Sequence, residues 1–120
     1  MYEVKVQSHF SSAHNLRGYR GKCEDLHGHN WRVEVTARAE DLNGTGMVVD
    51  FKELKGVLDE IIGDLDHKYL NELEHFRNNN PTSENIARYI YQRISRSKPE
   101  RNIKEVTVWE TDSSSATYFE

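Results

Sequence analysis

Two stretches of this chain alternate between apolar and polar side chains. In residues 2 to 10, Tyr2, Val4 and Val6 alternate with Glu3, Lys5 and Gln7; in residues 31 to 39, Trp31, Val33, Val35, Ala37 and Ala39 alternate with Arg32, Glu34, Thr36 and Arg38. Successive strand residues point to opposite faces, so a period of two predicts strands with one buried face. An antiparallel sheet covered on one side only has this pattern. A basic, Gly-containing loop at 15 to 22 separates the two segments, and N-G-T-G at 43 to 46 signals a turn. From Phe51 the period becomes helical: Phe51, Leu54, Leu58, Ile61, Ile62 and Leu65 form a stripe, with Asp50 placed to cap it. After Asn78 to Asn80 and Pro81, Thr82 can cap a second helix carrying Ile86, Ala87, Ile90, Tyr91 and Ile94. Residues 103 to 110 and 115 to 119 read as two short strands joined by a polar turn at Thr111 to Ser114. The expected fold is α+β, in the order strand, strand, helix, helix, strand, strand, with both helices on one face of an antiparallel sheet.

A sheet covered on one side needs few apolar residues, and this chain has few. At 120 residues it fits a single domain, 1–120. Surface scaling predicts about 6,700 Å² accessible when folded, out of about 20,300 Å² extended. Yet only 36% of residues are hydrophobic, against roughly 45 to 50% for average globular chains. Either the core is thin or neighbouring subunits supply part of the stability. The net charge of −4 argues against a nucleic-acid binder driven by bulk positive charge. No apolar run approaches the ~18 residues of a membrane span, and Met1 leads into the alternating segment rather than a signal peptide. The single cysteine, Cys23, excludes an intramolecular disulfide and fits a reducing cytoplasm.

The six histidines are more informative. His27-Gly28-His29 enters the second strand, where residues two apart share a face, so both imidazoles can reach one metal ion. His14 joins them if the first two strands pair as a hairpin. Three neutral imidazoles with an open fourth position are the ligand set of a catalytic zinc. Cys23 has three readings: fourth ligand of a closed structural site, buried small apolar residue, or a base or nucleophile activated by Zn²⁺ and by Arg17, Arg20 and Lys22. Asp66-His67 reads either as an oriented proton donor or as a helix C-terminal histidine. Glu110 reads alone as a strand-end ion pair or an exposed carboxylate.

The ordered segments F-S-S-A-H at 10 to 14, C-E-D-L-H-G-H-N at 23 to 30, V-V-D-F at 48 to 51, L-D-H-K-Y-L-N at 65 to 71, P-T-S-E-N at 81 to 85 and V-W-E-T at 108 to 111 span nearly the whole chain. Together they resemble the family of 6-pyruvoyl- and 6-carboxy-tetrahydropterin synthases. The resemblance implies the tunnelling fold (T-fold), with His14, His27 and His29 as zinc ligands and Cys23 as the catalytic thiol. It implies Asp66 and His67 as acid/base partners, and Glu110 as the carboxylate that anchors the pterin ring, with Thr82 and Ser83 near the same pocket. Arg17, Arg20 and Lys22 are candidates for holding a polyphosphate, or form a solvated basic loop. The implied assembly is a homohexamer, a dimer of trimers, with active sites between subunits.

The implied reaction is that of a zinc-dependent carbon–carbon lyase: 7,8-dihydroneopterin triphosphate becomes 6-carboxy-5,6,7,8-tetrahydropterin, acetaldehyde and triphosphate. Cys23 precedes H-G-H by the compact interval of the bacterial carboxy-forming enzymes of the queuosine pathway, whereas the animal pyruvoyl-forming enzymes have a longer one. Glu24-Asp25-Leu26-His27-Gly28-His29 also fits E-x-x-H-G-H, in which a glutamate base directs cleavage to 6-hydroxymethyl-7,8-dihydropterin for folate synthesis. A dual-function enzyme, a 6-pyruvoyl-tetrahydropterin synthase and a non-catalytic domain with a structural Cys-His₃ zinc are the alternatives. Glu24 is otherwise an exposed loop carboxylate.

Overall fold

The computed structural model describes residues 1–21 and 24–120. Four strands, β1 (Tyr2–His14), β2 (His27–Ala39), β3 (Ile103–Thr111) and β4 (Ser114–Phe119), form one antiparallel sheet in the order β1-β2-β3-β4. Helices α1 (Phe51–Gly63) and α2 (Ser83–Ser97) lie between β2 and β3 in sequence, with short 3₁₀ turns at Leu70–Glu72, Glu74–Phe76 and Pro99–Arg101. The expected element order holds. The first two strands run further than their alternation suggested, because F-S-S-A-H and H-G-H-N continue the ladder with polar and small residues. The hairpin pairs without interruption from Tyr2↔Ala39 to His14↔His27.

Both helices start where the capping side chains predict. Asp50 accepts a hydrogen bond from the Lys52 backbone N–H at 2.8 Å, and Thr82 Oγ1 from that of Asn85 at 3.1 Å. Leu54, Leu58, Ile61 and Ile62 of α1, and Ile86, Ala87, Ile90 and Ile94 of α2, are buried. They pack on Val6, Phe10, Trp31, Val33, Val35, Val106 and Val108 as one core. Phe51 departs from expectation. Although first on the helical stripe, it is 57% exposed and lines a surface hollow with Tyr2, Val4, Leu42 and Met47. Tyr2, at the free start of β1, is likewise exposed.

Among the described residues no layer covers the other sheet face. Gln7 donates to Glu34, Glu3 pairs with Arg38 and Lys104, and the Arg32 guanidinium lies 4.6 Å from the centre of the Trp109 ring. Glu3, between those two cations, is held down to about 2, chiefly by its hydrogen bond from Lys104. The chain exposes 7290 Å², more than the roughly 6,700 Å² expected of a compact monomer of this mass. Its radius of gyration of 15.3 Å likewise exceeds the ~13.6 Å expected for its length. The excess is architectural: two layers, one sheet face bare, and a hairpin of two 13-residue strands, β1 and β2. No helix is long and apolar enough to cross a membrane among the described residues.

Candidate metal centre

The core face of the sheet continues beyond the helices that cover it, and its residues there are histidines and a carboxylate. Along β1 the inward positions run Phe10, Ser12, His14; along β2, back from Trp31, they run His29, His27; along β3 they run Val106, Val108, Glu110. Period-two geometry therefore delivers four metal-type donors to one place. One ligand atom from each of His14, His27, His29 and Glu110 lies within 4.8 Å of all the others.

Their hydrogen bonds specify the tautomers. His14 Nδ1 lies 2.8 Å from the Pro81 carbonyl and His27 Nδ1 2.8 Å from the Asp25 carbonyl. A carbonyl only accepts, so both Nδ1 atoms carry the proton and both Nε2 atoms present lone pairs. Those Nε2 atoms face each other at 3.1 Å. Two lone pairs at that distance repel unless a cation lies between them. His29 Nε2 is buried and makes no hydrogen bond, although it lies 3.2 Å from Glu110 Oε1. Burial holds the His29 pKa below its ordinary value, against the opposing pull of Glu110, and so favours the neutral form that ligates metals. An orphaned buried nitrogen and two opposed lone pairs fit a metal ion held by these imidazoles.

Trp31 is the floor of the site. Fully buried, it stacks on Phe10 with ring centres 5.7 Å apart and meets the edges of His14 and His29 at 4.9 and 5.2 Å. Its indole N–H donates to the Ser12 carbonyl at 3.2 Å.

A network of asparagines that sequence reasoning missed holds the surrounding loops. Asn71 bonds both backbone groups of Asn15, accepting from its N–H at 3.0 Å and donating to its carbonyl at 2.8 Å. The Asn15 side chain accepts from the Tyr69 hydroxyl and donates to the Glu24 carbonyl. Asn80 treats Arg17 in the same way, accepting from its N–H and donating to its carbonyl. The Pro81 carbonyl that orients His14 follows directly. The signal was present, since Asn71 closes L-D-H-K-Y-L-N and Asn80 precedes P-T-S-E-N, but nothing in spacing says that an amide will bond a distant backbone.

The other expected site residues divide. Thr82, Ser83 and Glu110 line one cleft of about 190 Å³ with His14, Leu16 and the start of β4. Larger hollows lie elsewhere, including one of about 680 Å³ beside His75 and Tyr89, but among the described residues none has a comparable donor cluster. Glu24 Oε1 accepts from the Leu16 N–H at 3.3 Å and lies 3.7 Å from His27 Nδ1, so it borders the metal donors. The Arg17 guanidinium does not face the cleft as a free cation: it donates to the carbonyls of Phe76, Arg77 and Asn79. Arg20 lies over the Tyr19 ring at 5.3 Å and does not line the cleft. Cys23 and Lys22 lie outside the described residues.

Asp66 and His67 sit at the edge of β1, apart from the donor cluster. Asp66 Oδ1 accepts from the Ser11 N–H at 2.9 Å, and the His67 N–H donates to the Ser11 carbonyl at 2.7 Å. The Ser11 hydrogen bond is the main cause holding the Asp66 carboxyl below its ordinary value. His67 adopts a φ of +54° and its side chain is 82% exposed, with Nδ1 2.9 Å from Asp66 Oδ2. The carboxylate orients the ring and leaves Nε2 directed away from it. Ser11 is three residues from His14, roughly 10 Å along a strand.

The chain is similar to known proteins in sequence and in fold. A 6-carboxy-5,6,7,8-tetrahydropterin synthase of Synechocystis is 37% identical over 124 residues, covering 99% of this chain and 94% of the relative. A dihydroneopterin monophosphate aldolase of Pyrococcus furiosus is 36% identical over 108 residues, covering 89% of this chain and 88% of its own length. The structure of Caenorhabditis elegans 6-pyruvoyl tetrahydropterin synthase superposes with a TM-score of 0.87 at 27% identity, covering 99% of this chain and 95% of that one. The fold is thus the T-fold read from the motifs. With the family model for 6-pyruvoyl tetrahydropterin synthase matching residues 3–120, and the histidines of its motifs gathered at one end of the sheet, the chain belongs to the 6-pyruvoyl tetrahydropterin synthase family.

Proposed function

We propose that the chain is a zinc-dependent lyase that converts 7,8-dihydroneopterin triphosphate, with water, to 6-carboxy-5,6,7,8-tetrahydropterin, acetaldehyde and triphosphate, in the cytoplasm and on the route to queuosine. The observation that carries this reading is the meeting of His14, His27 and His29 beside a cleft that contains Glu110, Thr82 and Ser83. The chemistry zinc would supply there is Lewis-acid polarisation of the side-chain hydroxyl oxygens, which acidifies the neighbouring carbon. His14, His27 and His29 would hold the ion through Nε2. Glu110 accepts paired N–H donors of the pterin ring and fixes its plane. Cys23, as thiolate, takes the proton from the side-chain carbon. His67, oriented by Asp66, returns a proton to the ring, so the step is an internal isomerisation without an external oxidant.

In this reading the working unit is a homohexamer, a dimer of trimers. Three features support shared sites. The cleft, at about 190 Å³, is smaller than the roughly 300 Å³ at which ligand pockets begin. β4 and the part of β1 before Ser11 are sheet edges open to pairing with a neighbouring strand, whereas residues 11–13 already bond residues 66–69. His67 is exposed on the β1 edge, where it can serve a neighbour's pocket.

One observation favours a second activity, formation of 6-hydroxymethyl-7,8-dihydropterin. Glu24 is fixed beside His27 by the Leu16 N–H and the Asn15 side chain, a placement suited to a base. Product chromatography on variants separates the two. Cys23→Ala is expected to abolish the carboxy product and spare any hydroxymethyl product, and Glu24→Ala to do the reverse. If Glu24→Ala leaves every product unchanged, the second activity is discarded. If Cys23→Ala retains the carboxy product at the wild-type rate, the thiolate-base mechanism is wrong.

A further inference from the structure

Glu110 occupies an unusual position in the ladder. β3 pairs with β4 through Trp109↔Ser115 and then Thr111↔Ser114, so Glu110 is the extra residue of a bulge, and β2 pairs with β3 only as far as Arg32↔Trp109. Bulges re-aim side chains, and this one releases Glu110 from both neighbouring strands. Its Oε1 lies 3.2 Å from His14 Nε2 and 3.2 Å from His29 Nε2, while His14 Nε2 lies 3.1 Å from His27 Nε2. In a tetrahedral site with metal–ligand bonds of about 2.0 to 2.1 Å, the donor atoms stand about 3.3 to 3.4 Å apart. Three separations in the cluster match the edges of that tetrahedron. Among the described residues no other hydrogen bond or ion pair holds the carboxylate, and its outer side faces the cleft beside Thr82 and Ser83.

We infer that Glu110 is the fourth ligand of the resting metal site, and that an incoming oxygen ligand opens the site by displacing it into the cleft. The same carboxylate then serves twice. At rest it closes the coordination sphere and offsets one of the ion's two positive charges; once displaced, it accepts paired N–H donors from a guanidine-like ring edge. The second half rests on the pterin reading, whereas the first half needs only the metal.

The test therefore begins with metal alone. Purified wild-type, Glu110→Gln and Glu110→Asp proteins are loaded with Co²⁺, and three quantities are recorded: visible absorption, affinity by chelator competition, and water-proton relaxation. Loss of a supporting outer partner already weakens metal binding by about 10- to 100-fold, so Glu110→Gln is expected to weaken it at least about tenfold. The variant should also show an altered Co²⁺ spectrum and an inner-sphere water that the wild type lacks. Glu110→Asp, one methylene shorter, should fall between. Equal affinity, spectrum and relaxation in wild type and Glu110→Gln would overturn the inference. The wild-type relaxation stands alone should a variant fold poorly: a rapidly exchanging bound water in the resting wild type overturns it too. Adding a pterin to the Co²⁺-loaded wild type should then produce the signature of a displaced carboxylate. If the metal results hold and no dihydroneopterin triphosphate is converted, the pterin reading fails and the ligand assignment stands.

Discussion

His29→Leu is expected to abolish zinc binding without destabilising the metal-free protein. Nε2 of His29 is buried without a hydrogen bond, and an unsatisfied buried polar atom costs about 1 to 3 kcal/mol. Leucine removes that atom, so the metal-free variant should unfold at an equal or higher urea concentration. The wild type gains stability from zinc by mass action, about 2.7 kcal/mol when free zinc is a hundredfold above its dissociation constant. The variant should gain almost none. Thermal scans with and without zinc read both effects at once. A zinc-induced rise in Tm that survives in His29→Leu would remove His29 from the metal site.

Trp31→Ala is expected to damage stability and metal binding together. The ring is fully buried against Phe10 and touches two of the three histidines edge-on. Truncating a core tryptophan costs about 3 to 5 kcal/mol, which for a chain of this size lowers Tm by roughly 10 °C or more. The cavity would also let His14 and His29 change rotamer. Trp31→Phe separates the contributions, since it keeps a stacked ring and loses only the N–H donated to the Ser12 carbonyl. It should retain metal affinity within a fewfold at a modest cost in stability. If Trp31→Ala folds and binds zinc as tightly as wild type, the tryptophan is a core residue and nothing more.

How much of this was legible in the sequence follows from what each residue does. Val33, Val35, Ile86 and Ile90 repeat an apolar pattern, so strands and helices could be read from them. The ends of β1 and β2 could not be read in that way, because Ser11, Ser12, Gly28 and Asn30 alternate in space without alternating in hydropathy. The three histidines were found from H-x-H and the hairpin assumption, and the register His14↔His27 places them together as that assumption required. Glu110 was expected beside the pterin ring, whereas the bulge places it also within reach of His14 and His29. An inserted residue in a ladder leaves no composition signal. Arg17 looked like a free cation in a basic loop, yet its donors are taken by backbone carbonyls that only the tertiary fold brings near. Asn15, Asn71 and Asn80 bond backbone groups across the fold, and such contacts have no period to detect. The low apolar content acquired a cause. Among the described residues one sheet face, the β4 edge and the start of the β1 edge have no partner, and the homohexamer reading would cover them.

The reaction is tested most directly by product analysis with the zinc-loaded wild-type protein and 7,8-dihydroneopterin triphosphate under reducing conditions, beside the same protein stripped by a chelator. The zinc-loaded protein should give 6-carboxy-5,6,7,8-tetrahydropterin and acetaldehyde in equal amounts, the stripped protein none, and restored zinc should bring both back. Unaltered substrate with the zinc-loaded protein, or equal turnover without the metal, would contradict the proposed reaction.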